Sequence, residues 1–282
     1  PFGEYLNLTT AATALAGLKV LQNKLLKLET SAGIRIRFSI GAARNAQELK
    51  LVPSLIKEAG DLANCCINIP ISEDNILDYE LVYAAAEVCD RLGKETIRGE
   101  GNFNFTINFN GPHLCPYFPA GFNTKELGES FVIGLEYPNL LVHLLEELTP
   151  EGATNIVTSP TTRGEAWANA AWAIKSALEA HVSVLAGLAA TASRTFSRTF
   201  AGIDSSPAPS KNVQSMCRVI ELLGVENFGS CGTVEACAYL TRIFKGVAVD
   251  VDGVPVPLVG FSGLMFACLE DVGLALAAQR NQ

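Results

Sequence analysis

The chain has 282 residues, 49% of them hydrophobic and 18% charged, and a formal net charge of −8. That length and apolar fraction suffice for a sizeable buried core. The acidic balance, with no basic run anywhere, argues against a nucleic-acid surface and against attraction to an anionic membrane.

Eight cysteines occur with no CxxC pair. They read as buried free thiols in a reducing compartment, cytoplasmic or an organelle matrix. His113, His143 and His181 show neither HExxH nor HxxxH spacing, and the paired spacing of a zinc site is missing, so no metal is expected. No secretory signal opens the chain. Pro1 is not an initiator Met, so the chain is expected to begin inside a longer protein.

Apolar periodicity then gives the elements in order. Residues 5–28 predict a helix through Leu15, Leu18, Leu21, Leu25 and Leu28. Residues 34–40 predict a strand, with Ile34, Ile36, Phe38 and Ile40 opposite Arg35, Arg37 and Ser39. A helix near 46–60 precedes a strand at 65–71, which sets Ile67, Ile69 and Ile71 against Asn68; 76–92 reads as a helix. In 102–110, Phe103, Phe105, Ile107 and Phe109 share one face, and Asn102, Asn104, Thr106, Asn108 and Asn110 the other. Strand 131–136 ends on Glu136, a Leu-rich helix covers 139–148, and 154–158 is a candidate strand.

The run 166–192 is broken by Asn169, Lys175, Glu179 and His181. It reads as part of a buried amphipathic helix, 163–190, and not as a membrane span. A strand at 200–204 leads into GIDSSPAPS, then a helix 211–223 with Ser210 as N-cap. Helix 232–244 starts just after GSCG, 247–259 predicts a hairpin turning at Asp252-Gly253, and 260–278 becomes helical after a glycine-rich start.

This βα alternation predicts parallel strands covered by helices. Strands of an open doubly wound sheet are apolar on both faces, whereas several here have one polar face. Two architectures are compatible: a closed or partly closed barrel of about ten strands with a polar lumen and helices outside, or an open sheet with a solvated face. The barrel is preferred, as a single domain over 1–282.

Three segments resemble a known family: CPYFPAGFN (115–123), GIDSSPAPS (202–210) with GSCGT (229–233), and GFSGLMFACLED (260–271). Their order and spacing are similar to the domain of unknown function 711 family, also called uncharacterised protein family 0210. The resemblance implies a pyruvate-formate-lyase-like α/β barrel, as in glycyl-radical enzymes, with a loop entering the lumen. Measured against it, this chain is expected to lack the family's N-terminal βα unit and C-terminal segment. No radical glycine loop is present, so the fold does not bring the radical chemistry with it.

The candidate site residues follow. Asp204, at the carboxyl end of a strand, has the position and chemistry of a general base, a metal ligand or a hydrogen-bond anchor, with Ser205 and Ser206 beside it. The alternative is a turn that satisfies its own backbone. Cys115 is the thiyl candidate, set against a loop thiol of no chemical role; His113 precedes it. Arg35, Arg37, Asn108, Asn110 and Glu136 would line the lumen, where the two arginines either bind a carboxylate or phosphate or pair with Glu136 or Asp204. Ser230, Gly232 and Thr233 open a helix whose free N–H groups favour an anion, or simply make a tight turn. Ser262 sits between two glycines with no histidine base near it. Glu270 and Asp271 point about 100° apart on a helix, so at most one lines a site.

The function expected is an enzyme or former enzyme that binds a small polar or anionic metabolite, with cofactor unknown. The alternative is a non-catalytic scaffold or interaction subunit. Either is expected as a homo-oligomer or part of a larger assembly, because an incomplete barrel exposes strand edges.

Overall fold

A computed structural model describes residues 2–33, 37–111, 114–117, 120–121, 128–157, 163–210 and 212–281. The chain divides into two compact units, Pro1–Gly128 and Glu129–Gln282.

In the first unit, helix α1 (Ala11–Ala32) starts at Thr10, whose hydroxyl and that of Thr13 cap each other's backbone, and stops at Gly33 in the left-handed region. Strand β1 (Phe38–Ala43) is followed by α2 (Ala46–Leu49) and α3 (Val52–Ala59). Then come β2 (Ala63–Ile69), α4 (Tyr79–Glu95), a 3-10 stretch (Ile97–Asn104) and β3 (Phe105–Phe109). The three strands are parallel in the order β1-β2-β3. One face of the sheet carries Ile40, Cys65, Ile67, Ile69 and Phe105. It packs with Leu18 of α1, Leu55 and Ile56 of α3 and Leu92 of α4 in one buried cluster.

The second unit begins with β4 (Ser130–Leu135), α5 (Pro138–Glu147) and the long α6 (Arg163–Phe196). It continues through β5 (Thr199–Pro207), α7 (Met216–Leu222), α8 (Thr233–Lys245), the short strands β6 (Asp250–Val251) and β7 (Val254–Pro255), and α9 (Val272–Gln279). β4 and β5 are parallel, and Ile203 adds a parallel bridge to Leu258. Ile203, Ile174, Leu178, Val219, Leu240 and Phe244 centre its core. By length and composition α6 is apolar enough to cross a membrane. Its stripe from Ala170 to Ala189 packs into this core.

The expected barrel of about ten strands is not formed. Among the described residues the sheets have three, two and two strands. The polar strand faces that suggested a lumen are explained by the chain's own loops. Gly111 and Gly121 both meet the first sheet: the Gly111 N–H donates to Asn68 Oδ1 (2.8 Å) and Ser39 Oγ to the Gly121 carbonyl (3.1 Å). Segment 259–263 closes on β5 in the same way.

Smaller corrections have local causes. The strand expected at 102–110 begins only at Phe105, because Asn104 donates to the carbonyls of Gly60 (3.0 Å) and Ala63 (2.7 Å) and holds the preceding turn. Phe103 and Phe109, expected on the apolar face, are exposed. Residues 154–157 form no strand. Helix α7 starts at Met216, capped by Ser215 and not Ser210. The last helix starts at Val272, because Asp271 caps it and also accepts from the Met216 N–H at 2.9 Å. That double duty takes Asp271 out of any carboxylate pair with Glu270, which is exposed. The hairpin turn is as expected: Asp252 and Gly253 both have positive φ, which a type I′ turn requires.

Candidate functional site

Two polar centres emerge, one in each unit. In the second unit, Asp204 is fully buried at the end of β5. Its Oδ1 accepts from the N–H of Ser206 (2.9 Å), the hydroxyl of Ser206 (2.6 Å) and the N–H of Ser262 (2.9 Å). Its Oδ2 accepts from the Phe261 N–H at 2.8 Å. Ser206 Oγ in turn accepts from the Gly263 N–H at 3.0 Å. Gly260 and Ser262 are both in the left-handed region. The N–H groups of residues 261–263 therefore converge into a concave nest of the kind that binds anions, and the anion held there is the chain's own carboxylate. Ser262 Oγ accepts from the Ser205 N–H (3.3 Å) and donates to Val259 (2.9 Å). Ser205 Oγ points the other way and donates to the Phe244 carbonyl of α8 at 2.8 Å. Tyr137, next to α5, donates to the Ser205 carbonyl.

The structure thus brings Asp204, Ser205, Ser206 and Ser262 together, and joins GIDSSPAPS to GFSGL by hydrogen bonds. With four donors on one buried carboxylate, the arrangement has the chemistry of a latch. It compensates the charge's desolvation and orders a loop.

The second centre is the face of the first sheet opposite its helices. Side chains alternate across a strand, so Asn64, Cys66 and Asn68 of β2 share this face with Thr106 and Asn108 of β3. Register pairs Cys66 with Thr106 and Asn68 with Asn108. Asn108 is only 9% exposed, yet no protein hydrogen bond reaches its carboxamide among the described residues. Cys115, between Gly111 and Gly121 in sequence, is buried and acts electrostatically on Cys66. Burial, and secondarily Cys115, pushes the Cys66 thiol up to about 12. Cys66 therefore stays protonated at neutral pH and is no nucleophile.

The other candidates are dispersed. Arg35 and His113 lie outside the described residues. Arg37 is exposed just before β1, at the opposite end of the sheet from Asn108. Asn110 has φ 46° and its Oδ1 accepts from the Ile71 N–H at 2.9 Å, stapling two strand ends. Glu136 is exposed after β4. In GSCGT, Ser230 Oγ donates to the Asn227 carbonyl (2.6 Å), and Thr233 Oγ1 both accepts from the Gly229 N–H (3.0 Å) and donates to the Ser230 carbonyl (2.8 Å). Gly232 caps α8 with φ 99°. The turn is satisfied by its own groups. Among the described residues no cluster of three His, Cys, Asp or Glu side chains is placed to hold a metal.

Reading the sequence missed Asn64 because the strand expected at 65–71 in fact starts at Ala63, and it passed over Cys66, which alternation within that strand places beside Asn68. It also missed the N-cap role of Asp271, although an Asp ahead of an apolar helical run carries that signal.

The thiols provide a check on this packing. Cys65, Cys66 and Cys217 are buried with raised pKa values, whereas Cys231 and Cys268 are exposed. Maleimide labelling of the native protein at pH 8 is expected to modify Cys231 and Cys268 rapidly and to leave Cys65 and Cys66 unmodified until denaturant is added. The buried thiols hold their protons more tightly folded than unfolded. Stability is therefore expected to be full below about pH 9 and to fall as pH rises toward about 12. Rapid native labelling of Cys66, read by peptide mass spectrometry, would refute the packing.

No curated protein and no solved structure matches the chain, and the expected likeness to glycyl-radical enzymes is not shown. The model of the family described as Uncharacterised ACR (DUF711) matches residues 10–282. Asp204, Ser205, Ser206 and Ser262, the residues of the latch, all fall within that match, and the chain belongs to that family.

Proposed function

We propose that this chain binds a small, uncharged polar molecule, one with hydroxyl or amide groups, on the polar face of the first sheet around Asn68 and Asn108. The observation that supports this reading is the nearly enclosed Asn108 carboxamide with no protein partner among the described residues. Its polar atoms are still reached by solvent, so a bound molecule's donors and acceptors would take the place of water there. The chemistry of the face favours binding over turnover. It offers carboxamides, a hydroxyl and a thiol held protonated, and no charged side chain of β2 or β3 shares it. The anionic ligand expected from sequence depended on Arg35, which lies outside the described residues, and on Arg37, which stands at the far end of the sheet.

The test is a thermal-shift panel of neutral sugars, polyols and amides, with native mass spectrometry of the purified chain. At least one class is expected to bind, and Asn108→Ala to weaken it about tenfold, the loss of about 1.4 kcal/mol of hydrogen bonding, with the melting temperature nearly unchanged. A silent panel, or an Asn108→Ala variant that binds like the parent, overturns the reading. A second reading, an interaction subunit, is favoured by the exposed outer face of α6.

A further inference from the structure

Helix α6 is 34 residues long, about 51 Å. Its buried stripe faces the core, and its outer face exposes large apolar side chains, Trp172 at 74% and Val184 and Leu188 each at 65%, among the uncharged polar Asn169, Ser176 and Ser183. Such a patch on a soluble fold marks an interaction surface. The centre of this face is a line of small residues seven apart, Ala173, Ala180 and Gly187. Residues seven apart stack along a helix, offset by only about 20°. Gly187 is the informative one. Glycine is unfavourable in a helix interior, and a side chain added there would meet nothing within 4 Å in this chain. No intrachain packing requires its small size, whereas close approach of another helix does.

The charges show which helix fits. Between Glu165 and Arg194 no charged side chain lies on the outer face. Lys175 pairs with Glu179 at 3.7 Å, and Glu179 also accepts from the Ala248 N–H at 3.1 Å, away from that face. Glu165 and Arg194 both sit on the outer face, near opposite ends of the helix and almost equidistant from Ala180. Neither has an ion-pair partner among the described residues. Trp172 and Leu188 are each eight residues from Ala180, and Ser176 and Val184 each four.

This pattern is its own complement under a two-fold axis at Ala180. An antiparallel second copy sets Glu165 beside the partner's Arg194 at both ends. It sets Gly187 against Ala173 and places Trp172 level with Leu188. A strip about 51 Å by about 10 Å buries about 500 Å² on each copy. The total of about 1,000 Å² is the lower end for a specific interface. We propose that the protein forms a reversible antiparallel dimer through the outer face of α6.

Sedimentation velocity on the full chain, from about 1 to about 200 µM, tests this, since an interface of that size corresponds to roughly micromolar dissociation. The parent is expected to shift from monomer to dimer. Gly187→Leu is expected to raise the dimer dissociation constant by at least about tenfold while keeping or raising the monomer's melting temperature, because the site has room and leucine favours helix. Arg194→Glu is expected to weaken the dimer, and adding Glu165→Arg to recover it by restoring opposite charges. A parent that stays monomeric at the highest concentration overturns the proposal. So does a dimer indifferent to Gly187→Leu, and so does binding of phosphatidylcholine vesicles in place of self-association.

Discussion

Asp204→Ala is expected to destabilise the second unit by about 4 kcal/mol, because it strips the acceptor from four donors at once, three of them buried. Each buried donor loses its partner without regaining water. The loop 259–263 also loses the anion around which its left-handed residues are arranged. For a unit of this size about 4 kcal/mol corresponds to a fall of about 8–16 °C in melting temperature. Asp204→Asn keeps the shape but turns an amide N–H2 toward backbone donors, and is expected to cost about half as much. Ser206→Ala, which removes one hydroxyl from the network and leaves the carboxylate, is expected to cost least. Calorimetry on the three variants checks the order. Equal, near-zero effects would show that the latch does not hold the loop.

Gly202→Ala is expected to be nearly as damaging, by steric means. Gly202 has φ 140°, and a Cβ there would sit 2.4 Å from the Pro257 carbonyl oxygen and 2.8 Å from Val259 Cγ1. The contact is with backbone, which cannot swing aside like a side chain. To accommodate alanine the 257–259 segment must withdraw. That breaks the bonds from Ile203 N–H to Pro257 (3.0 Å) and from Val259 N–H to Ile203 (3.0 Å). These bonds position the donors for Asp204, so the damage reaches the latch. Positive-φ strain and overpacking together give about 2–5 kcal/mol. Gly164→Ala, at a helical position with open space, is the control and is expected to be neutral or stabilising. Urea midpoints measured for the two variants decide the point. Similar midpoints would mean that the 257–259 segment yields readily.

What the sequence made legible were the elements carried by strong periodicity. The long helix, expected at 163–190 and observed as Arg163–Phe196, the parallel βα character and the Asp252-Gly253 turn all come from local rules that tertiary context had no reason to override. The alternation in 102–110 and 65–71 correctly separated Asn68, Thr106 and Asn108 from the isoleucines. It misidentified what faces them. A polar strand face reads the same whether it looks into a lumen, into solvent or onto a later part of the chain, and 111–121 has no period to announce it. The same limit left the role of Asp204 open between a site and a self-satisfied turn. Its neighbours Ser205 and Ser206 are visible in sequence, but two of its four hydrogen bonds come from residues 261 and 262, and no local rule pairs a strand end with a loop that far along the chain.

The proposed separation of duties between Asp204, which holds structure, and Asn108, assigned here to ligand binding, is best tested by one calorimetric titration run on three proteins. The parent, Asp204→Asn and Asn108→Ala are titrated, below the melting temperature of each, with the polyol or amide that binds most strongly in the panel. The expected result is a parent-like affinity for Asp204→Asn despite its lower melting temperature, and an affinity about tenfold weaker for Asn108→Ala at unchanged stability. Loss of binding in Asp204→Asn with full binding in Asn108→Ala would contradict it.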